Sequence, residues 1–168
     1  MELTLRPVQK SDADFFVKEL NKSKYYSQYL STPYPYTKKD ANSWINKCLK
    51  QYIKKKPTSY SYIITIDDLP VGAISFNVID YKNNNAELGY WLSKKHQGKG
   101  IMLNAIKMIC YIAFKQLKLK RVYARTSTKN KPSQTALLKS GFKLEGKLIK
   151  DYKLHNKYND SLIFGLVN

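Results

Sequence analysis

The sequence predicts a single α+β domain, spanning residues 1–168, with a twisted, mixed and mostly antiparallel sheet flanked by helices. Its 168 residues fit one domain and are enough to bury a hydrophobic core. Short apolar segments separated by polar turns between residues 59 and 92 predict a meander of antiparallel strands. Helices that alternate with strands after residue 100 predict the mixed part of the sheet.

The first third of the chain predicts one strand and two helices. Leu3–Pro7 is a short apolar strand, and Ser11 is expected to cap the helix that follows. Thr37 is expected to cap a second helix that runs to Lys55. Residues 21–36 lie between the helices and are irregular, with two prolines and the tyrosines Tyr25, Tyr26, Tyr29, Tyr34 and Tyr36.

The meander consists of three predicted strands, Ser59–Ile66, Val71–Ile79 and Ala86–Leu92. Strand alternation places Glu87, Gly89 and Trp91 on the opposite face from their neighbours in the last of these strands. The remaining elements alternate. They are a helix from about Ile101 to Lys115, a strand over Arg121–Thr126, a helix that Asn130 caps and Gly141 ends, and the strands Phe142–Ile149 and Asp160–Val167.

Composition excludes several classes of protein. No apolar run is long enough to span a membrane, and the first residues do not form a signal peptide, so we expect a cytoplasmic protein. Cys48 and Cys110 fall in predicted helices, which favours buried thiols in a reducing compartment. His96 and His155 stand apart from other metal-ligating residues, so no metal site is predicted.

The net charge of +18 favours anionic partners. These are nucleic acids, acidic protein surfaces or a phosphorylated cofactor. The lysines are dispersed along the chain, so much of the charge is also consistent with solvated surface. The chain contains no sequence signature of specific RNA or DNA recognition, which restricts any nucleic-acid contact to a non-specific one.

The loop Lys95-His-Gln-Gly-Lys-Gly-Ile-Met102 lies between a predicted strand and a predicted helix. Gly98 and Gly100 allow backbone N–H groups to converge on an anion, and a helix N-terminus adds a favourable dipole. The spacing fits neither a Walker A loop nor the dinucleotide fingerprint. The loop therefore suggests pyrophosphate binding, with an ordinary strand-to-helix turn as the alternative.

The order of several motifs resembles the GNAT superfamily of acetyl-CoA-dependent N-acetyltransferases. In chain order the motifs are Glu87-Leu-Gly-Tyr-Trp-Leu-Ser93, Gln97-Gly-Lys-Gly-Ile-Met102, Asn130-x-x-Ser133, Ser140-Gly-Phe142 and Glu145-Gly146. Within the superfamily, the chain is most similar to the branch that acetylates the N-termini of ribosomal proteins (RimJ/RimL-like). The resemblance extends from the first strand to the last.

The resemblance implies a site for acetyl-CoA as co-substrate, in a splay between two central parallel strands, Ala86–Leu92 and Arg121–Thr126. It implies that loop amides hold the pyrophosphate and that the strand backbone meets the pantetheine arm. Asn130 would contact the pantetheine, with a helix cap as a compatible second role. The implied cofactor-binding residues are Trp91, Leu92, Ser93, Gln97, Gly98, Lys99, Gly100, Ile101, Met102 and Asn130.

The resemblance also implies direct attack of an amine on the thioester, without a covalent enzyme intermediate. Glu87 is the candidate base, acting through water, and the alternative is a solvated or ion-paired carboxylate. Ser133 is the candidate acid for the leaving thiolate, and the alternative is a first-turn helix residue. Many relatives have a tyrosine at the position of Leu137, and leucine cannot donate a proton.

Acceptor recognition is expected from residues 21–36 and from the hairpin after Ile149. Acidic residues are common in relatives at the positions of Asp151 and Asp160, whereas His155-Asn-Lys157 replaces the usual Asn-Gly turn. The predicted acceptor is a protein N-terminal amine, with the N-terminus of an acidic ribosomal protein as the leading candidate. Open alternatives are a small amino-acid-like or antibiotic amine, and a non-catalytic acyl-CoA-binding or RNA-docking protein. The protein is expected to be a monomer or a homo-oligomer.

Overall fold

The computed structural model describes residues 2–22, 24, 26–30 and 32–168, and this part of the chain forms seven strands and four α-helices. The helices are α1 (Ala13–Leu20), α2 (Lys38–Tyr52), α3 (Ile101–Tyr111) and α4 (Lys131–Lys139). The strands are β1 (Leu3–Pro7), β2 (Tyr60–Ile66), β3 (Leu69–Asp80), β4 (Asn85–Leu92), β5 (Arg121–Ser127), β6 (Lys143–Leu154) and β7 (Lys157–Val167). They form one sheet in the order β1-β2-β3-β4-β5-β7-β6, which confirms the predicted α+β class.

The first helix begins later than the sequence suggests. Ser11 does not cap it, because Lys10–Asp12 form a short 3-10 turn and α1 starts at Ala13. Asp12 accounts for the difference, since its carboxylate accepts the backbone N–H of Gln9 at 2.8 Å and binds the guanidinium of Arg6 at 2.6 Å. Asp12 is therefore drawn inwards against β1 and is only 3% exposed.

Thr37 caps α2 as predicted. Its hydroxyl accepts the backbone N–H of Asp40 at 3.2 Å, and the Asp40 carboxylate accepts the backbone N–H of Thr37 at 2.9 Å. The helix ends at Tyr52 rather than at Lys55. The Tyr52 hydroxyl binds the backbone of β2 and the N–H of Val8, whereas the residues after it are exposed and have no apolar face to bury.

The sheet divides between β4 and β5. These strands are its parallel pair, and they are joined only through Asn85–Glu87 of β4 and Arg121–Tyr123 of β5. Beyond these residues the two strands separate, while β5 stays paired with β7 along its whole length. The splay predicted between Ala86–Leu92 and Arg121–Thr126 is therefore present.

Each face of the sheet has its own core. On one face, α3 packs on Ala86, Leu88 and Leu92 of β4. On the other face, α1 packs on the ring of Trp91, and α2 packs on α1 in the same core. The predicted alternation of β4 is thus confirmed, and the two cysteines are buried, one in each core.

The C-terminal strands are longer than predicted. The segments Phe142–Ile149 and Asp160–Val167 extend into a hairpin whose turn is formed by His155 and Asn156, with φ of 49° and 60°. Histidine and asparagine are residue types that can adopt the left-handed backbone conformation, which a tight hairpin turn requires. The helix that was predicted to run to Lys115 is α-helical only as far as Tyr111. One π-helical turn, Ile112–Gln116, follows it directly.

Candidate active site

A cavity of about 930 Å³ opens where β4 and β5 separate. It continues through the sheet, because its lining includes side chains from both faces. Glu87 and Trp91 lie on the face of α1 and α2, whereas Asn130 and Ser133 lie on the face of α3 and α4. Two ligands can therefore approach the gap from opposite sides of the sheet.

The glycine loop forms one end of the cavity. Gly98 and Gly100 both have φ of +75°, the left-handed region that favours glycine, and Gly100 is the residue from which α3 begins. A Cβ atom at either glycine would meet no atom within 4 Å, so the space above the loop is open to a ligand. The side-chain amide of Gln97 donates to the carbonyl of Leu92 at 3.0 Å and fixes the loop to β4.

His96 also lines the cavity beside this loop. Its Nδ1 atom is hydrogen-bonded to the hydroxyl of Ser93, a residue that is 1% exposed. Burial lowers the pKa of His96 from its ordinary value, and the charges of Lys95 and Lys99 lower it further. The neutral imidazole is therefore favoured next to the glycine loop.

The backbone of β4 alternates between its neighbour β3 and the splay. Ser93 donates its N–H to the carbonyl of Val71, and the carbonyl of Trp91 lies against Gly72 of β3. Alternation turns the N–H groups of Tyr90 and Leu92 the other way, towards the gap that β5 leaves open. These two groups can therefore bind a ligand in the splay as an added strand would.

Ser133 is held on the α4 side of the splay. Asn130 caps α4 by accepting the N–H of Ser133 at 3.3 Å, so its capping role is present. The hydroxyls of Ser133 and Tyr90 are hydrogen-bonded at 2.9 Å. Burial raises the pKa of Tyr90 to about 12, although its bond to Ser133 acts in the opposite direction. Two neutral hydroxyls thus face the gap at neutral pH.

Glu87 lies on the opposite side of the splay in an ion pair. Its carboxylate accepts two bonds from the guanidinium of Arg125, at 3.0 and 3.3 Å. Arg125 also donates to Asp151 at 3.4 Å, and Asp151 accepts the hydroxyl of Ser161 at 2.5 Å. All four residues line the cavity, and the two carboxylate side chains are only 14% and 15% exposed. The ion-paired carboxylate considered from the sequence is therefore present at Glu87.

Aromatic side chains form the wall on the Glu87 side. Tyr26, Tyr29 and Leu30 line the cavity together with Trp91, whose ring stacks on Phe15 with centroids 5.7 Å apart. Tyr26, Tyr29 and Leu30 belong to the segment predicted to recognise the acceptor, within which Tyr25 lies outside the described residues.

The hairpin after Ile149, also predicted to recognise the acceptor, reaches the same wall. It contributes Asp151 and Tyr152, and the Nε2 atom of His155 lies 3.0 Å from the carbonyl of Ser27. Asp160 is instead paired with Lys147 and does not line the cavity.

Most of the residues singled out from the sequence lie at this one cavity. Among the residues predicted to be catalytic or to bind the cofactor, the exceptions are Ser93, which is buried behind His96, and Lys99, which is exposed outside the lining. Leu137 is fully buried in the core. Sequence reasoning missed the contacts of Tyr90 and Arg125, because alternation along β4 and β5 assigns each of them only to a face of its strand.

The described residues contain no group of three or more His, Cys, Asp or Glu that could hold a metal ion. Within the same part of the chain, no helix is both long enough and apolar enough to cross a membrane.

Residues 2–143 match the family described as Acetyltransferase (GNAT) domain. This range covers most of the chain, so the protein belongs to the GNAT family. The protein is therefore an N-acetyltransferase of the GNAT type, a family that uses acetyl-CoA as the acetyl donor.

Individual relatives are similar over different lengths. The uncharacterized N-acetyltransferase p20 of Bacillus licheniformis is 31% identical over 171 residues, covering 98% of this chain and 92% of that protein. The ribosomal-protein-serine acetyltransferase of Escherichia coli (strain K12) is 33% identical over 106 residues, covering 63% of this chain and 59% of that protein. The crystal structure of the Microcin C7 self immunity acetyltransferase MccE, in complex with acetyl-CoA and AMP, matches with a TM-score of 0.89 and 28% identity, over 99% of this chain and 93% of that one.

Proposed function

We propose that this enzyme acetylates the α-amine at the N-terminus of a protein, with an acidic ribosomal protein as the leading acceptor. The cavity that crosses the sheet between Glu87 and Ser133 is the observation that carries the proposal. Similarity to a ribosomal-protein-serine acetyltransferase supports the class of acceptor. The net charge of +18 favours an acidic acceptor and disfavours polycations such as polyamines.

The residues of the α3 and α4 side fit acetyl-CoA. The amides of residues 97–102, at the N-terminus of α3, would hold the pyrophosphate in the open space above Gly98 and Gly100. The N–H groups of Tyr90 and Leu92 would bind the pantetheine arm within the splay. Acetyl-CoA supplies an activated acetyl group on a thiol, which is a good leaving group.

The proton transfers are carried out by two residues on opposite sides of the splay, Glu87 and Ser133. Glu87, acting through a water molecule, takes a proton from the acceptor ammonium. The amine nitrogen then bonds to the thioester carbonyl carbon, and the carbon–sulfur bond breaks with its electron pair going to sulfur. Ser133, held by the Tyr90 hydroxyl, gives its proton to the thiolate and takes up the second proton, which the amine nitrogen must lose to become a neutral amide, so the serine hydroxyl is restored. Arg125 fixes the position of the Glu87 carboxylate during this sequence.

Thiol release from acetyl-CoA tests this function, with N-terminal peptides of acidic ribosomal proteins as acceptors and N-terminally blocked peptides as the negative control. Glu87→Gln should lower kcat by about 100-fold or more and leave acetyl-CoA affinity unchanged. Glu145→Gln is the matched control, because Glu145 forms a similar ion pair with Arg121 outside the cavity. Equal activity in the two variants would contradict the role of Glu87.

A small amino-acid-like or antibiotic amine is the second candidate acceptor, and similarity to MccE along almost the whole chain favours it. Turnover with an amino-acid pool but not with the peptides would support this candidate. Turnover with a polyamine would contradict the charge argument. Acetyl-CoA binding without turnover would favour a non-catalytic binder, and RNA docking would be recognised by a steep loss of affinity with salt.

A further inference from the structure

We infer that Arg125 determines acceptor specificity by binding the carbonyl oxygen next to the acceptor's α-amine. The inference rests on the proposed acetylation of α-amines. In that mechanism Arg125 only positions the Glu87 carboxylate, and the inference gives it a second role in binding the acceptor. Arg125 lies on β5 where that strand has already separated from β4, so its side chain spans part of the open gap.

The hydrogen bonds of Arg125 leave donors unused. A guanidinium has five N–H groups, and the two carboxylates engage three of them, from Nε, Nη1 and Nη2. The side chain is 42% exposed and lines the cavity. Among the described residues Arg125 has no further hydrogen-bond partner, so two N–H groups remain for an oxygen of the ligand.

The charges around Arg125 complete the match to an α-aminoacyl group. Glu87, Arg125 and Asp151 together carry a formal charge of −1, which suits one ammonium group. The Ser161 hydroxyl fixes Asp151, and Arg125 holds both carboxylates. An ammonium at the carboxylates places the adjacent carbonyl oxygen near the guanidinium. An alkyl amine can satisfy only the first of these contacts, and a polyamine would bring a second positive charge towards Arg125.

Two amines that differ only in the carboxamide test the inference, L-phenylalaninamide and 2-phenylethylamine. Their affinities are measured by calorimetry on the full chain saturated with CoA, so no turnover is required. A pH near 6 keeps both amines protonated, since α-amino groups titrate at about 8 and alkyl amines above 10. The wild-type protein should bind the amide at least about tenfold more tightly, the value of one hydrogen bond from a charged donor.

Arg125→Met should abolish this preference, and Arg125→Lys should keep part of it. Arg121→Met is the control, because Arg121 lies on the same strand in a comparable ion pair but outside the cavity, and it should keep the full preference. Asp151→Asn should weaken both amines equally. The inference is overturned if wild type binds the two amines equally or binds neither, or if Arg125→Met and Arg125→Lys both retain the full preference. Failure of acetyl transfer alongside a preference that depends on Arg125 would instead contradict the proposed function.

Discussion

Gly72→Ala should destabilise the protein, because the added methyl group on β3 would collide with β4, the strand that lines the cavity. A Cβ atom at this position would lie 2.4 Å from the carbonyl oxygen of Trp91 and 3.0 Å from the Cα atom of Leu92. Ordinary carbon–oxygen contacts begin at about 3.3 Å, so β4 must move by roughly 1 Å. Overpacking of this kind costs about 1–3 kcal/mol, which lowers Tm by about 2–12 °C for a chain of this size.

The same displacement should reduce activity. Trp91 and Leu92 belong to the strand that lines the splay, and a misplacement of about 1 Å can lower an enzymatic rate by roughly 100-fold. Urea unfolding and acetyl-CoA-dependent thiol release, measured on the same preparation, separate the loss of stability from the loss of function in the protein that remains folded.

Gly146→Ala is the control for this substitution. Its Cβ atom would meet the Ile163 side chain at 3.8 Å, an ordinary van der Waals distance. The alanine should therefore leave stability unchanged or raise it by up to about 1 kcal/mol, since it restricts the unfolded chain. If Gly72→Ala is as stable and as active as Gly146→Ala, the argument from the contact between β3 and β4 is wrong.

The remaining predictions concern the glycine loop, the cap of α2 and the buried Cys110 thiol. Gly98→Ala should weaken acetyl-CoA binding by at least about tenfold in a calorimetric titration, whereas Gly141→Ala, also at positive φ but outside the cavity, should not. Thr37→Ala should cost about 1 kcal/mol in urea unfolding. Hydrogen bonds from Thr37 lower the pKa of Asp40, so the stability lost in Asp40→Asn should be evident at neutral pH and vanish as the pH falls below about 4. Burial raises the pKa of Cys110 to about 12, so mass spectrometry should detect its alkylation at pH 8 only after unfolding.

Local patterns in the sequence predicted the elements that position the site. Thr37 was identifiable as a helix cap, and the alternation of β4 correctly separated Glu87 and Trp91 from the residues that face α3. Gly98 and Gly100 were identifiable because their spacing suits a loop that leaves backbone amides free. These features depend on neighbours within one element, which is why the order of residues is sufficient to predict them.

Features that depend on partners in other elements were not predictable in this way. Asp12 is drawn from the expected helix start by Arg6 on the neighbouring strand. Arg125 becomes part of the site only because the sheet places Glu87 on the adjacent strand β4 and Asp151 on β6, which lies beyond β7, within its reach. Tyr90 contacts Ser133 across 43 positions of sequence. Each contact requires the three-dimensional arrangement of strands before its chemistry can be recognised.

The divergence of β4 and β5 has a consequence for native-state hydrogen exchange. The N–H groups of Tyr90 and Leu92 face the splay, although β4 lies in the middle of the sheet with β3 fully paired along its other edge. These two amides should exchange with solvent deuterium much faster than those of Gly89 and Trp91 beside them. Within one central strand, fast and slow amides would then alternate residue by residue, and binding of acetyl-CoA would slow the fast set alone.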